Sequence, residues 1–175
     1  MYKKTSSDWI RWPTTRIHKH LHTHNPLGRK GLNYYTVDYT SSRALRACLP
    51  DALQACAVRV FLVEMQGPYT VHAHTDTGCT SAVNYYLQSG GGITTFYART
   101  SASQPIDSYD GCSVAQAWAT HTLETVDSFT AQDRTCWLLN TRAIHDVCVP
   151  DGSTRRFIQW GFRDTPYEEL LCHFE

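Results

Sequence analysis

The segment YTVHAHTDTGCTSAVNYYLQSGGGITTFYAR, residues 69–99, contains three short strand-like runs separated by turns rich in glycine. In the first run, YTVHAHTD (69–76), polar and apolar side chains alternate, which is the two-residue period of a strand with two unlike faces. Strict alternation puts Tyr69, Val71 and Ala73 on one face and Thr70, His72, His74 and Asp76 on the other. Imidazoles and a carboxylate at every second position are costly on a core strand unless something pairs with them. A solvent-facing strand would more naturally carry Thr, Lys or Glu there. The second run, CTSAVNYYLQ (79–88), and the third, ITTFYAR (93–99), flank the breaker SGGG (89–92).

Outward from this segment the chain continues as short strands. VRVFLVEM (58–65) is almost continuously apolar, so it is expected to be buried on both faces. TCWLLN (135–140), AIHDVCV (143–149), the turn PDGS (150–153) and TRRFIQWGFR (154–163) follow a Ser/Asp/Gly-rich loop over roughly 100 to 112. Upstream, LNYYTVDYT (32–40) has strand composition. SSRALRACLPDALQACA (41–57) has helical spacing in Leu45, Cys48 and Leu49, with Ser41 or Ser42 as cap and Pro50 as an interruption. The tail DTPYEELLCHF places Pro and two glutamates in a first helical turn. Many short strands between Gly/Pro turns predict a mainly β fold, a jelly roll (double-stranded β-helix) with a few flanking helices. Residues 1–30, polar and rich in His and Arg, are expected to form an irregular N-terminal arm, with a single domain over 31–175.

The 175 residues suffice for one domain with a proper core. Lys+Arg and Asp+Glu both number 16, which gives no overall electrostatic footprint for nucleic acid or an anionic membrane, although a local basic patch remains open. No apolar run is long enough to span a bilayer, and MYKKTSSDWIRW lacks a signal-peptide core. The seven cysteines are odd in number and form no CxxC pair. Free thiols in a reducing, cytoplasmic setting are therefore expected.

His74 and Asp76 share a strand face and suit two neighbouring ligands of one metal ion. His145, in AIHDVCV, offers a third ligand. Two histidines and a carboxylate on one face of an octahedron hold Fe(II) and leave positions open for oxygen chemistry. His72 could replace His74 in a His-x-x-x-Asp arrangement, or could line the substrate cleft. Past His145 stands an arginine pair suited to bidentate capture of a carboxylate. If PDGS closes a hairpin with an even loop, Arg156 shares the face of His145 and Arg155 points away; an odd loop or a bulge at Gly152 reverses this.

HTD (74–76), TSAVNYYL (80–87) with GGITTFY (91–97), and WLLNTRAIHDV…RRFIQWGF (137–162) together resemble the iron(II)- and 2-oxoglutarate-dependent dioxygenases, in particular their small prolyl-hydroxylase-like, phage-type members. The resemblance covers mainly residues 58–163. It implies a double-stranded β-helix with His74, Asp76 and His145 as the iron ligands and catalytic centre. It also implies Arg156 on the distal carboxylate of 2-oxoglutarate, with Asn84 and Thr95 lining the cosubstrate pocket. Fe(II) and 2-oxoglutarate are the implied cofactors. O2 and an unidentified acceptor, with a peptidyl residue such as proline favoured, are the other partners. The hydroxyl that often follows the arginine by two residues is absent here, and Tyr85, Tyr86 or Thr95 could replace it. That departure keeps open a non-catalytic, cupin-like metal- or ligand-binding module, or a virion interaction module. Asp146 is expected to be exposed, Trp137 and Trp160 to be core, and HKHLHTH (18–24) to be a polar arm.

Overall fold

The computed structural model describes residues 1–14, 16–21, 31–106 and 114–174. In chain order its elements are β1 (Tyr2–Thr5), β2 (Lys19–Leu21), β3 (Leu32–Val37), α1 (Tyr39–Arg46), α2 (Asp51–Gln54), β4 (Ala57–Gln66), β5 (Tyr69–Asp76) and β6 (Ser81–Gln88). They continue as β7 (Ile93–Arg99), β8 (Pro105–Ile106), β9 (Val114–Trp118), β10 (Leu123–Thr130), β11 (Cys136–Asn140), β12 (Ile144–Val149), β13 (Thr154–Phe162) and α3 (Tyr167–Cys172).

The strands form two antiparallel sheets, ordered β1-β11-β6-β13-β4-β3-β2 and β10-β7-β12-β5-β9-β8. Their connectivity is that of one long rolled hairpin. β7 pairs with β10, β6 with β11, β5 with β12 and β4 with β13, and successive pairs alternate between the sheets. This is the double-stranded β-helix, the jelly-roll architecture with two facing sheets.

The first sheet is buried on both sides, which explains why its strands show so little alternation. Trp160, Leu138, Val83 and Phe162 face a helical layer supplying Leu45, Leu49, Leu53 and Leu170. Trp160 Nε1 donates to the Leu45 carbonyl at 3.0 Å and ties α1 to the sheet. Asp38 caps α1 by accepting from the Ser41 N–H, displacing the expected Ser cap. On the inner side Val63, Tyr86, Trp137, Leu139 and Phe157 meet Val71, Phe96, Phe129 and Val149 of the second sheet.

Three expectations are corrected. PDGS does not close a hairpin: β12 lies in the second sheet and β13 in the first, so the turn carries the chain across the sandwich. The N-terminal region is not simply an irregular arm, since β1 and β2 add strands at opposite edges of the first sheet. Tyr2 anchors β1 by stacking on Phe96 and packing on Phe129. His22 and His24 of HKHLHTH lie outside the described residues. The third correction concerns β9 and β10, which fill a region where no strand is expected. Among the described residues no helix is long and apolar enough to cross a membrane.

Candidate functional site

A cleft of about 820 Å³, counting its open mouth, lies between the sheets. Inward residues of β4, β6 and β13 form its floor, and β5, β7 and β12 form its facing wall. His74, Asp76 and His145 converge on this wall, with one ligand-capable atom of each within 4.8 Å of the others. His74 and His145 are direct cross-strand partners, with ring centroids 4.5 Å apart.

The approach to the site departs from simple alternation. On β5 the register runs from His74 opposite His145 to Val71 opposite Val147, so one extra residue bulges at His72–Ala73. Val71 and His74 consequently both face the cleft, while the His72 side chain is exposed. His72 contributes its carbonyl, which accepts from His74 Nδ1 at 2.7 Å. The Ala143 carbonyl accepts from His145 Nδ1 at 2.9 Å. A carbonyl can only accept, so both Nδ1 atoms carry a proton, which leaves Nε2 of each ring as its ligand-capable atom; that of His74 stands 3.3 Å from Asp76 Oδ1 and donates to it while protonated.

Charge balance suits a cation. Burial and the neighbouring His74 push His145 down to about 4, so it is neutral at physiological pH. Burial disfavours charge on His74, yet the hydrogen bond and field of Asp76 leave its pKa above the usual histidine range. Burial likewise opposes ionisation of Asp76, but His74 at 3.3 Å and the nearby His145 and Arg59 keep its carboxyl below the usual range. Two imidazole nitrogens and a carboxylate clustered this tightly fit a first-row divalent metal ion.

The arginine pair divides in the opposite sense to the even-loop expectation. Arg156 lies on the far face of β13, half exposed, with Nε 2.7 Å from Glu64 Oε2. Arg155 enters the cleft and is 1% exposed. Its Nη2 donates to Tyr86 Oη at 2.7 Å and Thr94 Oγ1 at 2.9 Å. Its Nε and Nη1 are buried without a partner, and among the described residues no carboxylate forms an ion pair with it. Gly92 makes room for this side chain: a Cβ there would stand 2.8 Å from Arg155 Cδ and 3.0 Å from Nη1.

Thr94, not Thr95, faces the cleft. Thr95 pairs with Asp146 on the outer face of the second sheet. Asp146 itself is buried there and accepts from Tyr97 Oη at 2.7 Å, contrary to the expected exposure. Asn84 does line the cleft, buried, with Oδ1 unpartnered. Trp137 and Trp160 are core. The hydroxyls that sequence reasoning sought after the arginine come from across the sheets, as Tyr86 and Thr94, while Tyr85 packs outward.

No protein-family model matches the chain, and no curated protein sequence matches it. Several solved structures align with part of their length. A vicilin from hazelnut (Corylus avellana) aligns at 7% identity and TM-score 0.46 over 86% of this chain and 31% of its own. A mutant of Bacillus subtilis oxalate decarboxylase aligns at 15% identity and TM-score 0.43, over 81% and 28%. E. coli ycfD aligns at 13% identity and TM-score 0.46, over 86% and 38%. This chain thus spans about a third of the length of these proteins.

Proposed function

We propose that this protein is an Fe(II)- and 2-oxoglutarate-dependent dioxygenase that hydroxylates a C–H bond of an acceptor. The observation that carries the reading is a buried, unpaired cation sharing a cleft with a two-histidine, one-carboxylate cluster. Leaving two guanidinium nitrogens buried and unpartnered is costly unless an anion completes them. The spacing is also apt. Thr94 pairs with Val147, one inward position from His145, so the hydroxyl that Arg155 grips sits roughly 8 Å from the His145 backbone. A five-carbon keto diacid can reach from the metal ligands to the guanidinium in such a cleft.

In this reading His74, Asp76 and His145 hold the metal, which supplies the activation of dioxygen. Arg155 takes the far carboxylate of 2-oxoglutarate through its free N–H groups. The hydroxyls of Tyr86 and Thr94 both accept from Nη2, so each keeps its own proton to donate to the same carboxylate. Asn84 lies beside them on the cleft floor. Phe157 and Phe61 keep that floor apolar and limit water around the reacting groups. The overall reaction converts R–H, 2-oxoglutarate and O2 into R–OH, succinate and CO2, with one oxygen atom in the alcohol and the other in succinate. The acceptor, a peptidyl residue such as proline in the family resemblance, would enter at the open mouth.

Calorimetric titration of 2-oxoglutarate into Mn(II)-loaded protein tests the site without turnover. Micromolar binding that needs the metal and Arg155 is expected. Binding without any Fe(II)-dependent succinate would favour the metal- and ligand-binding module instead, and absence of binding would overturn the proposal.

A further inference from the structure

A second arginine occupies the cleft with no role assigned to it. Arg59, on the inward face of β4, stands opposite Gly161 of β13, six residues along that strand from Arg155. The two guanidinium groups therefore mark opposite ends of one floor, and the metal-ligand cluster lies on the wall between them. Arg59 Nη1 donates to the Thr77 carbonyl at 3.3 Å. Among the described residues no carboxylate forms an ion pair with it.

The chain is shaped around this side chain. Gly78, with φ of +74°, lies against the guanidinium, and a Cβ there would come 2.4 Å from Nη2. Gly161 is equally bare: a Cβ would meet Cys79 Sγ at 2.7 Å and Arg59 Cβ at 3.5 Å. Gly78 thus leaves room for the guanidinium against Thr77, the residue after Asp76, while Gly161 makes room for the Cys79 thiol beside the arginine stem. The Cys79 thiol, buried on the cleft wall, is pushed up by burial, and the charges of Arg59, Arg163 and Arg142 oppose that shift while Asp76 adds to it. Arg142 and Arg163 are exposed.

We infer that Arg59 is a specificity-determining residue that binds an oxyanion, a carboxylate or phosphate, carried by a small acceptor substrate close to the carbon being oxidised. This rests on the dioxygenase reading for the word acceptor, but the anion site itself does not depend on it. Arg59 presents a planar fork suited to bidentate oxyanion capture. Its place beside Asp76 means that an anchored acceptor can offer the metal a carbon only a few bonds from its anion. A free acid therefore fits better than an internal peptide residue, whose flanking groups are neutral amides.

The test is binding to Zn(II)-loaded protein saturated with 2-oxoglutarate, with and without the metal, followed by calorimetry. The probes are free L-amino acids, their carboxamides and nucleoside monophosphates. Wild type is compared with Arg59→Met, Arg59→Lys and Arg155→Met, each checked for an unchanged melting profile. A free acid that binds at least tenfold tighter than its carboxamide, and tenfold weaker to Arg59→Met with an intermediate loss in Arg59→Lys, establishes a carboxylate site. The same Arg59 dependence with a monophosphate establishes a phosphate site. Failure of both classes to bind wild type overturns the inference. So does binding that ignores the carboxamide change or Arg59→Met, or that follows Arg155→Met alone. Failure of 2-oxoglutarate itself to bind would sink the dioxygenase reading, while the acid and monophosphate arms would still report on Arg59.

Discussion

Replacing Arg155 with methionine separates ligand binding from folding unusually well. Methionine is unbranched and adaptable, so it can follow the arginine stem past Gly92 and over Tyr86. Two terms oppose each other in the unliganded protein. Removing the buried, unpartnered Nε and Nη1 relieves about 1–3 kcal/mol each. Losing the charge-assisted bonds from Nη2 to Tyr86 and Thr94 costs about 1.5–3 kcal/mol each. They nearly cancel, and removing an unpaired cation from the interior tips the balance toward the variant. The expected melting temperature without ligand is unchanged or higher by a few degrees, at roughly 2–4 °C per kcal/mol for a chain of this size. The affinity for 2-oxoglutarate moves the other way. Removing one partner of a buried charge pair costs about 3–5 kcal/mol, which is roughly a 100- to 4,000-fold weaker Kd. Differential scanning fluorimetry with and without 2-oxoglutarate and Mn(II) reads both numbers from one plate. A variant that melts well below wild type but binds 2-oxoglutarate normally would refute the reasoning and make Arg155 a structural residue.

Gly92→Ala should reproduce part of that loss, because its Cβ would press on Arg155 Cδ and Nη1; overpacking of about 1–3 kcal/mol predicts roughly fivefold to 100-fold weakening of 2-oxoglutarate binding, measured by calorimetry. Arg156→Met should leave that affinity within twofold and change stability by less than about 1 kcal/mol, since the Glu64 pair it breaks is half exposed. Metal affinity should fall as pH drops through the raised pKa of His74, with a slope near one proton. His74, whose pKa is raised, must lose a proton to bind, whereas His145 stays neutral down to about 4. A slope of two in a Zn(II) titration between pH 5 and 6.5 would show that His145 also carries a proton there. Stability without metal should also decline as pH falls from about 6.5 toward 4, because His145 takes up a proton more readily unfolded than folded; chemical denaturation across that range checks it.

The clustering of His74, Asp76 and His145 was legible because it needs only residue types and a shared face: His74 and Asp76 two apart, and a later histidine on another strand. The second arginine of the pair was misjudged for a topological reason. A turn as short as PDGS suggests a hairpin, and parity carried across a hairpin favours Arg156 if its loop is even. Here the turn crosses between sheets, so β12 and β13 share no register. The alternation of β13 itself could not correct this, because Phe157, Ile158, Trp160 and Phe162 are all buried, some toward the cleft and some toward the helices. Thr94 and Thr95 pose the same difficulty on β7, where either parity places a threonine inward. The bulge at His72 leaves no local mark, since neither His72 nor Ala73 is a glycine. β10 went unread because most of its side chains are exposed, which hides the period of a half-buried strand. Arg59 had no motif around it, and its place follows only from pairing with Gly161.

Succinate formation is the most direct test of the central claim. Purified protein is incubated aerobically with Fe(II), ascorbate and 2-oxoglutarate, alongside Asp76→Ala, Arg155→Met and Arg156→Met. Succinate from wild type and Arg156→Met, lost in Asp76→Ala and Arg155→Met, is the predicted result. Failure of wild type to form succinate or bind 2-oxoglutarate, or loss through Arg156 instead of Arg155, would contradict it.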